Sequence, residues 1–118
     1  MANVYKNIQA TIDQAATDVA MYTSPTATTS IIKTIRLFNT HSGDLDVTST
    51  VYDASSATNF EWDKTNVVAD NHANLLTYNN LLVLEAGDIL KMQTPTTDVI
   101  NMTAAVLQIT RPPEVTIT

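Results

Sequence analysis

The sequence predicts an all-β domain, a single antiparallel β-sandwich of about eight strands, with jelly-roll and immunoglobulin-like orders both open. Three observations predict it. Threonine, a β-branched residue suited to half-exposed pleated surfaces, fills roughly one position in six of the 118. Apolar and polar residues alternate with a period of two in run after run. Polar turn clusters separate those runs at a spacing of roughly 8–12 residues.

The elements follow in order. Ile8, Ala10 and Ile12 alternate against Gln9, Thr11 and Asp13, a first strand over 7–14. Ile8, Ile12, Ala15, Ala16, Val19 and Ala20 also recur at helical spacing, so a helix over Asn7–Met21 competes, and the polar break at 13–18 weighs against it. Val19 to Thr23 is a short second strand that ends at Ser24-Pro25-Thr26. Ser30 to Phe38 places Ile31, Ile35 and Leu37 on one face with Lys33, and Ile32, Thr34, Arg36 and Phe38 on the other. Two partly apolar faces fit a central strand, or one whose outer side meets a partner subunit. After a turn at 39–44, Leu45, Val47 and Val51 alternate with Asp46, Thr48, Thr50 and Tyr52.

Residues 53–58 close that strand, and Phe60 and Trp62 alternate with Asn59, Glu61 and Asp63 in the next. From Lys64 to Asn80 the alternation degrades, which reads as short strands with a long connection. Val83 to Leu90 reads as a β-hairpin corner: apolar runs at 81–84 and 89–94 flank Glu85-Ala86-Gly87-Asp88, with Gly87 free to take positive φ. A turn at 94–98 leads into 99–110, where Ile100, Met102, Ala104 and Val106 alternate with polar and small residues. Pro112 and Pro113 stop that strand, and Glu114 to Thr118 alternates as a short tail. The domain reading is one sandwich over 1–118, with 1–20 available as an N-terminal arm and 111–118 as a C-terminal extension.

Composition narrows the function classes. A chain of this length can bury roughly two-thirds of its unfolded surface without staples. Cysteine is absent, which removes disulfides, thiolate metal sites and thiol nucleophiles. The first residues show no apolar h-region, so no signal peptide is expected, and no apolar run approaches the ~18 residues of a membrane helix. The net charge is −6, and the six basic residues (Lys6, Lys33, Arg36, Lys64, Lys91 and Arg111) are scattered, which argues against nucleic-acid binding.

No pattern of catalytic residues stands out. His41 and His72 each read as solvated turn residues. Asp44 and Asp46 form D-x-D beside Gly43 but lack the further oxygen ligands of a calcium loop. Glu85 and Asp88 share one tight exposed turn rather than facing across a cleft. The serines lie in runs or turns without a nucleophile elbow, and two glycines cannot build a phosphate loop. Phe60 and Trp62 at i, i+2 read as same-face core aromatics; with Tyr78, Trp62 is also the platform that a carbohydrate-stacking site would use. The expectation is a non-enzyme with no catalytic residues, no metal and no cofactor.

The run from Tyr22 to Thr40 resembles a recurring opening in small virion structural proteins of tailed bacteriophages, marine and cyanophage types among them. Leu84-Glu85-Ala86-Gly87-Asp88, with Ile89 and Lys91 after it, is similar to a late block in the same proteins, and Val106-Leu107-Gln108-Ile109-Thr110 to their closing strand. The resemblance spans about 3–110 and departs at 63–80 and in the tail. It implies a capsid decoration, or cement, protein of the virion that oligomerises, a trimer being favoured, and bridges major capsid protein or other virion subunits. A neck, collar or tail-associated component is the alternative, and a carbohydrate-binding adsorption module a third. Val115 and Ile117, alternating in the tail, are the expected partner contacts, able to add a strand to a neighbour's sheet edge.

Overall fold

Alternating side chains, inward apolar and outward polar, lay the chain down as two packed antiparallel sheets. The computed structural model describes residues 2–76 and 81–110. Nine strands occur among them: β1 (Ala2–Thr11), β2 (Val19–Thr23), β3 (Thr28–Asn39), β4 (Leu45–Asp53), β5 (Thr58–Val67), β6 (Asn71–Leu76), β7 (Leu82–Leu84), β8 (Ile89–Gln93) and β9 (Ile100–Thr110). One sheet runs β1-β9-β3, with β6 and β7 following each other along the far edge of β3; the other runs β2-β8-β4-β5. Counted as one interrupted strand, β6 and β7 complete an eight-strand jelly-roll order, which decides between the two sandwich topologies. The competing helix over 7–21 is absent: residues 2–11 pair in unbroken register along β9, and β2 begins at Val19.

The core lies between the sheets. Ile32, Ile35 and Leu37 of β3 and Ile100, Met102, Ala104 and Val106 of β9 face Val47, Leu90 and Met92 of the other sheet. Each such large side chain contributes about 1.5–3 kcal/mol by leaving water. Strand β3 differs from its sequence pattern in one respect. Its ladder with β9 pairs Ile32 with Val106 and then Thr34 with Ala105, so Lys33 is an extra, bulged residue. The bulge inverts the alternation: Ile31 does not share a face with Ile35 and Leu37 but points outward with Arg36 and Phe38, while Ile32 turns inward. Deleting Lys33 leaves every other β3–β9 pair in register. It is expected to cost about 1 kcal/mol or less in urea unfolding, unusual for a deletion inside a central strand.

The corner at 83–90 also differs from expectation. β7 pairs with Ser30–Ile32 in one sheet and β8 with β2 and β4 in the other, so the corner is a step between sheets rather than a hairpin. Each apolar flank finds a longer partner strand than the other flank could offer. The intervening turn is held from within. Asp88 is only 8% exposed, and its carboxylate accepts from the Ala54 N–H through Oδ1 (3.0 Å) and from the Glu85 N–H through Oδ2 (2.9 Å). Gly87 N–H donates to Ser24 O and Ser24 N–H to Asp88 O, both at 2.9 Å. The Ser24 hydroxyl meets that of Ser30 (2.9 Å), which meets the Tyr22 hydroxyl (2.7 Å), which accepts from Gln108 Nε2 (2.7 Å). This polar chain ties the two sheets together at one end of the sandwich.

Gly87 sits at φ +86, and a Cβ there would lie 3.2 Å from Ala54 Cβ. Gly87→Ala is expected to lose about 1–3 kcal/mol in a denaturant titration, through the left-handed backbone and the crowding. Two smaller differences complete the fold. β5 continues through Val67, and a short turn with Asp70 at φ 52 leads directly into β6, so no long connection lies between 64 and 76. The first strand begins at Ala2, earlier than the alternation at 7–14 indicates.

Candidate interaction surface

The sequence-predicted chemical groups do not converge. His41 lies in the β3–β4 loop, where its Nδ1 accepts from the Gly43 N–H (3.0 Å). His72 is on β6 opposite Phe38, a strand position rather than a turn. Asp44 accepts from the Ala69 N–H (2.9 Å) and Asp46 from Asn66 Nδ2 (2.9 Å), so both carboxylates brace neighbouring segments. Among the described residues no group of three or more His, Cys, Asp or Glu could hold a metal ion. Glu85 and Asp88 are not alike: Glu85 is exposed, and Asp88 is the buried anchor just described, which corrects their reading as one exposed pair. Asp53 holds its carboxyl below the ordinary value because the Ser55 hydroxyl (2.7 Å) and N–H (3.1 Å) donate to it.

The aromatic pair is divided. A bulge places Trp62 between the Glu61–Thr50 and Asp63–Ser49 pairs, and the indole packs against the core with Nε1 buried and unbonded. Phe60 is 53% exposed on the same edge strand, so only Trp62 is the core aromatic expected of both. The clefts are shallow; one of about 390 Å³ beside the corner is lined by Ala27, Thr28, Thr29, Glu85 and Ala86. Val115, Ile117 and Tyr78 lie outside the described residues.

What the strands do bring together is a surface. Across the outer face of the five-stranded sheet, the register aligns Tyr5 with Leu107, Leu107 with Ile31 and Ile31 with Val83. Tyr5 is 71% and Val83 54% exposed, and Ile31 and Leu107 are half-buried. Lys33 arches over the Tyr5 ring, its Nζ 4.9 Å from the centroid. Further along the same face lie Thr103 and Arg36, whose Nε donates to Asn74 Oδ1 at 3.4 Å, and then Asn101 and Phe38, 38% exposed. A contiguous exposed apolar row of this kind marks a contact surface more often than a scattered apolar residue does.

The opposite face has a different character. The outer side of the four-stranded sheet presents Asp46, Thr48, Glu61 and Lys64, and Lys91 covers Tyr52 at 4.9 Å while donating to Asn59 Oδ1 at 3.2 Å. Mixed charge of this sort stays solvated. Sequence reading found both faces of 30–38 partly apolar but missed the row, because the Lys33 bulge decides which isoleucine faces out and because register aligns four distant strands.

No family model matches the chain, and no curated protein matches it. The solved structures of similar fold include two of different origin. One is a chain from Bacillus endospore appendages, described as a novel family of disulfide-linked pili, 12% identical over 92% of this chain and 88% of that one, with a TM-score of 0.50. The other is a chain of the virus-like particle of the giant freshwater prawn Macrobrachium rosenbergii extra small virus, 14% identical over 96% of this chain and 82% of that one, with a TM-score of 0.52. At these identities the likeness is one of fold: the chain shares its two-sheet β-architecture with an appendage subunit and a viral-particle subunit.

Proposed function

We propose that the chain is a non-enzymatic structural subunit of a tailed-bacteriophage virion, a decoration protein that oligomerises and binds the assembled head. The observation that carries this reading is the outer face of the five-stranded sheet, with its row Tyr5–Leu107–Ile31–Val83. Such a row is a liability for a free monomer and an asset for a subunit. The blocks 22–40, 84–88 and 106–110, which resemble tailed-phage virion proteins, support it. Two solved structures of similar fold come from protein assemblies, a pilus and a virus-like particle, which is consistent with a subunit role.

The mechanism is linkage. A ligand that binds the assembled shell and not its free subunits stabilises the shell by RT ln(1 + L/Kd) per site, with L the free ligand concentration. No bond is made or broken, and no cofactor is needed. The test is localisation by mass spectrometry of separated heads and tails, together with heat release of DNA from heads stripped of the protein and then re-supplied with it. The expected result is a head-associated protein at lattice copy number whose return raises the release temperature. Recovery in tails or the neck alone replaces the decoration reading with the tail-associated one.

A further inference from the structure

We propose that the outer face of the five-stranded sheet docks the acidic loop end of a second copy of this chain, so that copies associate head to tail. The inference rests on the reading of the chain as a self-associating subunit and names the surfaces involved.

Charge is segregated along the fold. The chain has twelve acidic residues, and none lies on β1, β3, β6, β7 or β9, the strands of the five-stranded sheet. Lys33 and Arg36 lie beside the apolar row on that sheet's outer face. Five aspartates occupy four loops instead: Asp13 and Asp18 between β1 and β2, Asp44 between β3 and β4, Asp70 between β5 and β6, and Asp98 between β8 and β9. Those loops meet at one end of the sandwich. Asp98 N–H donates to Ile12 O (2.9 Å), Ala16 N–H to Thr94 O (2.8 Å) and Thr40 N–H to Val99 O (2.8 Å), and Asp44 holds the Ala69 N–H. All five aspartates are exposed, and residues 12–18, 40–44, 68–70 and 94–99 contain no lysine or arginine.

On a chain of net charge −6, most encounters between two copies are repulsive. The encounter that brings Lys33 and Arg36 against the aspartate-bearing end is attractive, and it covers the apolar row as it forms. Charge then selects orientation, and apolar burial supplies affinity. Because the two surfaces differ, the contact is heterologous, which closes into a ring such as a trimer when its rotation allows.

The test is sedimentation velocity of the purified full chain at about 0.02 M and 0.5 M salt, where the screening length falls several-fold. Oligomers are expected at low salt and weaker association at high salt. The double variant Lys33→Glu/Arg36→Glu is expected to weaken association about tenfold or more, as is Asp13→Lys/Asp18→Lys, and an equimolar mixture of the two variants restores association between unlike copies. Circular dichroism confirms that each variant folds, and Arg36→Glu alone serves if the first double variant does not. A chain that stays monomeric at both salts, or variants that do not rescue each other, would overturn the proposal. A monomer found on heads overturns it while leaving the virion role standing; a salt-sensitive oligomer absent from virions does the reverse.

Discussion

Asp88→Ala is expected to lower stability by about 3 kcal/mol, because two backbone N–H groups lose the charged acceptor of a buried carboxylate at once. The Ala54 and Glu85 amides reach the carboxylate at 3.0 and 2.9 Å, and the carboxylate that joins them belongs to a residue only 8% exposed. For a domain of this size the loss corresponds to a fall of roughly 10 °C in melting temperature. Asp88→Asn keeps one acceptor oxygen and places an amide donor against the second N–H, so about half of the loss is expected. A thermal melt followed by circular dichroism separates the three proteins. An alanine variant as stable as the parent would show that the corner is held by Gly87 and Ser24 alone.

Ile35→Ala is expected to cost about 3 kcal/mol, while Ile31→Ala costs about 1 kcal/mol or less. The two residues are four apart on one strand, and regular alternation gives them the same face. The Lys33 bulge separates them: Ile35 is fully buried between the sheets, and Ile31 sits half-exposed in the outer row. The contrast is read as two denaturation midpoints at constant slope. Equal losses at the two positions would mean that β3 runs without the bulge. The same pair separates stability from association, since Ile31→Asp is expected to leave the monomer folded and abolish its oligomers.

The all-β class, the position of most strands and nearly all of the core were legible in the sequence, because period-two alternation is a local signal. Leu45, Val47, Ile100, Met102 and Val106 all face inward as their spacing requires. What failed was non-local. Val83 to Leu90 has the grammar of a hairpin, and only the availability of β3 on one side and β4 on the other sends its arms to different sheets. Asp88 reads as a turn residue, and its burial depends on Ser24 and Ala54 arriving from two other turns. The interaction surface combines both limits. Its apolar members are visible singly, but Tyr5, Ile31, Val83 and Leu107 become neighbours only through register. The placement of acids was written in the sequence from the start: each of Asp13, Asp18, Asp44, Asp70 and Asp98 falls at a break in alternation, and those breaks share one end.

β1 and β9 have a consequence for timing. Ala2 pairs with Thr110 and Thr11 with Asn101, so β1 waits for β9, the last of the described strands, before it has any neighbour in its sheet. Pairings this distant in sequence form slowly and late. The row from Tyr5 to Val83 runs through Leu107, so a nascent chain that has not yet released β9 cannot display it. Topology alone therefore withholds the apolar row until the five-stranded sheet closes around β9.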